Sequence, residues 1–257
     1  MKVTILGCGS SSGVPVIGCQ CAVCLSTDPK NSRMRVSVLV EEGPTAILVD
    51  TSPDCRKQLL AAKVHRLDAV VWTHDHADHT HGIDEVRSIS HATKAPLPVY
   101  ADTATLVSLQ ARFGYAFMKE GAPMRAYVPN LVPRQISGPF SIGSIAVTPF
   151  TQLHGIGREA TLGLRFGRFA YSTDVKELPE QAFEALQGID TWVVDCLMEY
   201  PSPAHSHLTQ TLEWIERVKP RRAILTHMNH RVDYQTWKAK LPPHIEPGYD
   251  GMILEVP

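Results

Sequence analysis

The sequence predicts a single α/β domain of 257 residues, with buried sheets flanked by helices. Three observations support this prediction. Apolar, β-rich segments come early in the chain, strands and helical patterns alternate in its second half, and polar or ionisable residues follow several strands directly. No repeat of fixed period divides the sequence, so we expect one domain over residues 1–257.

The composition is that of an ordinary globular chain. Hydrophobic residues make up 44% and charged residues 20% of the sequence, and the formal net charge is −1. No overall charge therefore favours nucleic acid or a membrane surface. There is neither a signal-peptide pattern nor an apolar run of membrane-spanning length, and the cysteines do not resemble a secreted disulfide framework. We expect a cytoplasmic protein without a membrane partner.

The first half of the chain is predicted to pass from strands into mixed strands and helices. A strand over 2–7 ends in a glycine-rich loop, and a turn at Gly43 and Pro44 joins strands over 35–41 and 45–50. A helix over 56–63, a strand over 67–72 and a helix over 83–89 follow. A short strand over 96–101 then leads into a helix over 103–113.

The second half begins with an irregular region. Residues 114–139 are rich in proline and glycine with scattered aromatic side chains, which predicts a long loop or lid. Strands follow over 141–150, 162–166 and 168–172, the last two as a hairpin through Gly167. A helix over 180–186, a strand over 191–196, a helix over 208–218 and a strand over 222–226 complete the order.

The segment 72–79 concentrates ionisable side chains at the end of a predicted strand. Its five titratable residues fall within six consecutive positions: His74, Asp75, His76, Asp78 and His79. Imidazole suits zinc, iron, nickel or manganese, and carboxylate adds a hard ligand. His74 and His76 face the same side of an extended segment, and Asp78 and His79 can reach a neighbouring point from a first helical turn. The segment therefore predicts two adjacent metal ions.

Other ionisable residues also stand at strand ends. Side chains that follow the carboxyl ends of strands converge over one edge of an α/β sheet, where active sites collect. In this sequence they are Asp50, His154, Asp174, Asp195 and His227.

A separate cysteine cluster precedes these elements. Cys19, Cys21 and Cys24 form a C-x-C-x2-C knuckle over 19–24. Three thiolates at this spacing can bind one tetrahedral zinc ion, but a fourth ligand has to come from elsewhere in the chain.

The motif THDHADH at 73–79 resembles the T-H-x-H-x-D-H signature of the metallo-β-lactamase fold hydrolases. Single histidines and an aspartate follow downstream in the order of that family. The resemblance implies a four-layer αββα sandwich with a dinuclear metal site between its two sheets. One ion would be held by His74, His76 and His154, the other by Asp78, His79 and His227, with Asp174 bridging both. Asp50 matches a family aspartate that orients a ligand histidine.

Two further segments are similar to the PhnP group, the phosphoribosyl cyclic-phosphate phosphodiesterases. They are the N-terminal loop over 6–15 with the knuckle over 19–24, and the segment 224–233 followed by 248–252. That group carries a structural zinc ion on three cysteines and a histidine. Here these ligands would be Cys19, Cys21, Cys24 and His230.

The resemblance implies hydrolysis of a small or cyclic phosphodiester, or of a nucleotide, by a hydroxide that bridges two divalent ions. Zinc, manganese and nickel all fit the ligands. Asp78 could also orient the nucleophile. A protonated histidine would serve the leaving alkoxide, and the loop around 204–209 offers both His205 and His207. His205 aligns slightly better with the group.

Other interpretations stay open. The same ligands could hydrolyse a thioester, a lactone or a β-lactam. A nuclease would need a basic extension, whereas the basic residues between 217 and 240 are interleaved with acids, so we expect no nucleic-acid partner. A metal-binding scaffold is the non-enzyme alternative. We expect a small phosphodiester as the partner, and a homodimer is compatible with the sequence.

Overall fold

A computed structural model describes residues 1–119 and 121–257 and contains strands and helices throughout. The strands are β1 Lys2–Gly7, β2 Ser37–Glu42, β3 Thr45–Val49, β4 Ala69–Val71, β5 Leu97–Ala101, β6 Leu131–Gln135, β7 Phe140–Ile142, β8 Ile145–His154, β9 Glu159–Phe166, β10 Phe169–Ser172, β11 Thr191–Asp195, β12 Arg222–Thr226, β13 Ile245–Pro247 and β14 Ile253–Glu255. The helices are α1 Cys55–Ala61, α2 Ala77–Thr80, α3 Arg87–Thr93, α4 Thr103–Phe113, α5 Glu180–Ala185, α6 Leu208–Val218 and α7 Tyr234–Lys240.

In the described part of the chain the strands form two seven-stranded sheets. Their orders are β14-β1-β2-β3-β4-β5-β6 and β13-β12-β11-β10-β9-β8-β7. The pairs β3–β4, β4–β5 and β5–β6 are parallel in the first sheet, as are β10–β11, β11–β12 and β12–β13 in the second. Parallel neighbours end at the same edge of a sheet, so the loops after β3, β4, β10, β11 and β12 are gathered where the two sheets can share a site.

Alternation along β3 shows how the first sheet is packed on both faces. Ile47 and Val49 belong to the apolar cluster that includes Phe166 and Phe169 of the second sheet, whereas Leu48 packs in a separate cluster. Successive side chains of a strand point to opposite faces, so this run of buried residues is covered by a sheet on one side and by helices on the other.

Helices cover the outer faces of both sheets. Leu59 of α1 and Leu109 of α4 pack with Leu48 in the cluster on the outer face of the first sheet. Phe183 of α5 and Trp214 of α6 pack in the cluster that contains the second sheet. The four layers are therefore αββα, and the fold class that the signature motif implies is confirmed. Among the described residues, none of the helices combines the length and the apolar character needed to cross a membrane.

Several elements differ from the sequence-based expectation, among them the short strands β13 and β14, which were not predicted. The predicted loop over 114–139 contains strand β6 near its end, and residue 120 lies outside the described part of the chain. Pro133 argues against a strand in the sequence, because proline cannot donate a backbone hydrogen bond. It is tolerated here because β6 forms the edge of its sheet. The helix predicted over 83–89 begins as a 3-10 turn at Ile83–Val86 before α3. Helix α7 was not predicted, although Asp233 caps it by accepting a hydrogen bond from the Thr236 amide at 2.9 Å.

Gly163 of β9 offers a test of the packing between β8 and β9. A methyl group at this position would overlap the buried ring of Phe150 on the paired strand. We expect Gly163→Ala to lower the free energy of unfolding by about 1–3 kcal/mol, since an overpacked core has to shift. Gly114→Ala is the matched control, because nothing lies within 4 Å of its added methyl group. Urea denaturation of both variants measures the difference, and equal stabilities would contradict this description of the packing.

Candidate metal centre

The ionisable residues at the strand ends lie together where the sheets meet. Short connections aim these side chains inward, and helix α2 supplies Asp78 and His79 directly after the extended residue His76. The strand-end residues are Asp50 after β3, His74 after β4, His154 at the end of β8, Asp174 after β10, Asp195 at the end of β11 and His227 after β12.

Two groups of side chains are arranged as metal ligands. In the first, the ligand atoms of His74, His76, His154 and Asp174 all lie within 4.8 Å of one another. Two of these side chains belong to the 73–79 motif. The other two come from the second sheet, where His154 ends β8 and Asp174 follows β10.

The second group shares one member with the first. Asp78, His79 and His227 lie within the same mutual distance of 4.8 Å, and Asp174 is again the fourth ligand. The structure thus brings together all seven predicted ligands, and it places the carboxylate of Asp174 between the two groups. That each residue binds an ion stays a prediction.

The donor atoms fit divalent cations. Nε2 of His74, Nε2 of His79 and both ring nitrogens of His227 are buried without a hydrogen-bond partner. Buried polar atoms rarely lack partners, and each such atom calls for an explanation. Nε2 of His79 lies 3.0 Å from Asp174 Oδ2, and Nε2 of His227 lies 3.4 Å from Asp174 Oδ1. Ligands about 2 Å from one tetrahedral ion stand roughly 3.3 Å apart, which matches these separations.

Hydrogen bonds behind the ligands fix which nitrogen of each ring points into the site. Nδ1–H of His79 donates a hydrogen bond to Asp50 Oδ2 at 2.7 Å. The Thr73 hydroxyl donates to Asp50 at 2.9 Å and lies 3.0 Å from Nδ1 of His74, from which it accepts. Nδ1 of His154 donates to the Ala204 carbonyl at 3.1 Å. In each ring the proton sits on Nδ1, which leaves Nε2 as the ligand atom.

Three of the strand-end residues have a left-handed backbone. The φ angles of Asp50, Asp174 and His227 are 63°, 53° and 56°. This region is uncommon for residues other than glycine, and such strain concentrates at functional sites. The conformation turns each side chain sharply off the line of its strand and into the space between the sheets.

The ionisation of the buried groups reflects their mutual contacts. Burial alone disfavours a charged carboxylate at Asp174, but the neighbouring His227 and His79 hold its pKa well below its usual range. Burial also lowers the pKa of His74, and the nearby His79 lowers it further. A neutral imidazole and an ionised carboxylate are the forms in which these side chains bind metal.

His205 lies beside both ligand groups and belongs to neither, but its ligand atom lies within 4.8 Å of those of Asp195 and His227, with which it forms a further possible ligand group. Its ring centroid is 4.6 Å from that of His154 and 4.5 Å from that of His227. Nδ1 of His205 lies 3.0 Å from Asp195 Oδ2. Burial lowers the pKa of His205, but the charge and hydrogen bond of Asp195 outweigh this and raise the pKa to about 9. The other predicted candidate, His207, is the residue that precedes α6 and takes part in none of the ligand groups of the described residues.

The cysteine knuckle forms a possible metal site away from these histidines and carboxylates. The thiols of Cys19, Cys21 and Cys24 lie within 4.8 Å of one another. The Cys24 amide lies 3.5 Å from the Cys21 sulfur and lowers the pKa of that thiol, which favours the thiolate. The imidazole of His230 is not part of this group, and Cys21 instead contacts the His230 backbone carbonyl at 3.5 Å. The role of His230 as fourth ligand therefore stays a prediction.

Several neighbours of the site were not predicted from the sequence. Thr73 and the Ala204 carbonyl orient ligand rings, and Asp102 and Glu159 line the adjacent cavity. The sequence does contain a signal for Glu159. Gly155 and Gly157 mark a turn, and a hairpin through that turn pairs Glu159 with His154.

Comparison with known proteins identifies the family. Residues 45–228 match the β-lactamase superfamily domain. The chain belongs to the β-lactamase superfamily. It has the metallo-β-lactamase fold, as the motif at 73–79 implies, and its resemblance to the PhnP family is confirmed by a solved relative. That structure, described as a new diphosphatase from the PhnP family, has a TM-score of 0.92 and 34% identity and covers 100% of this chain and 98% of its own.

Two other proteins are similar to this chain along nearly its whole length. Zinc-bound PqqB from Methylobacterium extorquens shares the fold with a TM-score of 0.79 at 20% identity, covering 100% of both chains. A Porphyromonas gingivalis protein named octanoyltransferase is 34% identical over 98% of this chain. The chain spans about half the length of that relative, 51%.

The shared carboxylate of Asp174 generates a prediction about metal binding. We expect Asp174→Asn to weaken the binding of both ions at the centre at least about tenfold, since it removes a charged ligand from each group. Asp75→Asn is the matched control, because Asp75 lies within the same motif but outside both ligand groups. Titration calorimetry with zinc, and plasma mass spectrometry after dialysis, measure the change. Selective loss of one ion in Asp174→Asn would contradict the shared position of this carboxylate.

Proposed function

We propose that this chain is a dinuclear metal-dependent phosphodiesterase that acts on a small substrate. The observation that carries the proposal is the position of His205, which is hydrogen-bonded to Asp195 and packed against the rings of His154 and His227. Hydrolysis of a phosphodiester releases an alkoxide, which is a poor leaving group unless it is protonated as it departs. An imidazole beside a two-ion centre meets this need.

Two divalent ions bound at the centre would supply an activated water and would stabilise charge on the phosphoryl oxygens. The seven predicted ligands would hold those ions. Asp78 stands 12% exposed at the edge of the second group, where it can also orient the attacking water.

His205 then acts as the general acid in this proposal. Asp195 accepts a hydrogen bond from Nδ1, which leaves Nε2–H as the donor to the departing oxygen. Asp195 is itself fully buried and also accepts from the Val175 amide at 2.9 Å, so its position is set by the chain next to Asp174. The imidazole is thus oriented by the same loops that present the ligands.

The path of the loop between β11 and α6 favours His205 over His207. Buried Ser206 donates its hydroxyl to the Asp195 carbonyl at 2.7 Å and its amide to the Val175 carbonyl at 2.7 Å. These hydrogen bonds hold the backbone of Ser206, which lies between the two histidines, in one position. His205 is held on the side of the ligand rings, and His207 is left at the start of α6.

The solved relative supports a reaction at phosphorus. It is 34% identical and is described as a diphosphatase of the PhnP family, and a diphosphatase cleaves a phosphoanhydride rather than a bond to a carbonyl carbon. The relative named octanoyltransferase is about twice as long as this chain, which matches 51% of it.

A substrate panel tests the proposed function. Protein loaded with zinc or manganese is assayed with bis-para-nitrophenyl phosphate, a ribose cyclic phosphate, inorganic diphosphate, a thioester and a lactone. We expect metal-dependent turnover of the diesters and little turnover of the carbonyl substrates. Efficient hydrolysis of the thioester or lactone, with no activity on any phosphate ester, would overturn the proposal.

Substitution of the two loop histidines tests the assignment of the general acid. We expect His205→Ala to lower kcat on an alkyl phosphodiester by about 100-fold, within the range found for general acids, and His207→Ala to change it less than tenfold. A nitrophenyl ester, whose leaving group needs no proton, should lose much less activity in His205→Ala. Equal losses on both kinds of ester would contradict a role in proton transfer.

A further inference from the structure

His227 differs from the other predicted ligands in what holds it in place. Both of its ring nitrogens are buried without a hydrogen-bond partner among the described residues, whereas three of the other ligand rings are held at Nδ1. Its backbone is left-handed, with a φ of 56°. A residue other than glycine stays in this conformation only where the surrounding structure holds it there. The contacts of the neighbouring chain therefore determine where the imidazole of His227 lies.

The glycine-rich N-terminal loop holds the residue that follows His227. The Met228 amide donates to the Cys8 carbonyl at 2.9 Å, and the Ser10 amide donates to the Met228 carbonyl at 3.1 Å. Both backbone groups of Met228 are thus paired with this loop. The loop over 6–15, which supplies none of the predicted ligands, therefore supports one of them from behind.

The loop is packed in turn against the backbone of Arg33. The Arg33 amide donates to the Val14 carbonyl at 2.7 Å, and the Val14 amide donates to the Arg33 carbonyl at 2.9 Å. A methyl group added at Gly9 would stand 2.8 Å from the Arg33 carbonyl oxygen, which is closer than a real side chain comes. Glycine is therefore required where the loop passes between Arg33 and Met228.

The side chain of Arg33 holds the same stretch from another side. It is buried, and its Nη2 donates to the Val232 carbonyl at 2.8 Å while its Nη1 donates to the Asn229 carbonyl at 3.4 Å. These carbonyls lie two and five residues after His227. A buried guanidinium is costly unless its donors are paired, so the segment after His227 and the arginine hold each other in position.

Asn31 extends these contacts to the end of the segment. Its Oδ1 accepts from Nη2 of Arg33 at 3.1 Å and from the Tyr234 amide at 2.8 Å. Its Nδ2 donates to Asp233 Oδ2 at 2.7 Å. Residues 228–234 are therefore fixed at both ends by residues 8–10 and 31–33.

We propose that Arg33 is a positioning residue for the second ligand group, because its guanidinium holds the chain after His227 so that the imidazole can share an ion with the other members of that group. Arg33 acts through the backbone, since its hydrogen bonds go to carbonyl and amide oxygens and not to a predicted ligand. Its planar fork reaches two carbonyls at once, which a lysine ammonium does not reproduce. The inference rests on the dinuclear centre of the proposed function, since it assumes that His227 binds an ion.

Cobalt(II) titration of the full chain tests the inference without any substrate. Charge transfer from thiolates to cobalt distinguishes the cysteine knuckle from positions made of histidine and carboxylate, so each affinity is followed by its absorption. The His76→Ala variant keeps every member of the second ligand group, and His227→Ala keeps every member of the first. Arg33→Met is titrated alone and in each of these backgrounds.

The effect of Arg33→Met should be confined to one position. We expect it to weaken cobalt binding at least about tenfold in the His76→Ala background and less than about threefold in the His227→Ala background, as for a group that orients one metal ligand. Arg125→Met is the matched control, because Arg125 also donates to a backbone carbonyl, that of Phe117 at 3.0 Å, in a loop that supplies no predicted ligand. It should leave both affinities unchanged.

Each outcome decides the inference. Unchanged affinity in the His76→Ala background, or equal weakening in both backgrounds, would overturn it. If Arg33→Met does not fold, Arg33→Lys carries the same comparison, since it keeps the charge without the planar fork, and its loss should again be confined to the His76→Ala background. Unchanged cobalt binding by the Arg33 variants, with diester turnover by the unsubstituted protein, would overturn this inference alone. Failure of the unsubstituted protein to bind cobalt outside the knuckle would contradict the proposed function as well.

Discussion

The shared carboxylate of Asp174 is the constraint on which the rest of the site depends. It is 2% exposed, follows β10 in the second sheet, and stands between histidines from both sheets. An ionised carboxylate this deeply buried is costly unless cations or donors surround it. Its position therefore requires both ligand groups to close around it, which ties the metal centre to the way the sheets pack.

Asp50 performs the corresponding task on the first sheet. Its oxygens accept from the Thr73 amide at 2.8 Å, from the Thr73 hydroxyl and from the ring of His79. One buried carboxylate thus orients two parts of the motif before any ion arrives. Each sheet thus contributes an aspartate with a left-handed backbone at the end of a strand. Because these contacts already orient the side chains, the predicted ligands need little rearrangement to bind metal.

Much of this site could be predicted from the sequence because its signals are local. The 73–79 motif and the strand-end positions, together with the family resemblance that the motif carries, mark the seven predicted ligands without knowledge of distant contacts. The choice between His205 and His207 could not be read in the same way, since it depends on how Ser206 anchors the loop to Asp195. Strand β6 was missed because its proline is acceptable only at a sheet edge, a property of the assembled sheet.

The carboxylate of Asp174 belongs to both ligand groups, so we expect it to bind both metal ions. Anomalous diffraction from crystals of the zinc-loaded protein measures this directly, because it locates each ion independently of the surrounding side chains. We expect two peaks about 3.5–4 Å apart, both within bonding distance of Asp174. A single peak held by one ligand group, or two peaks of which only one contacts Asp174, would contradict it.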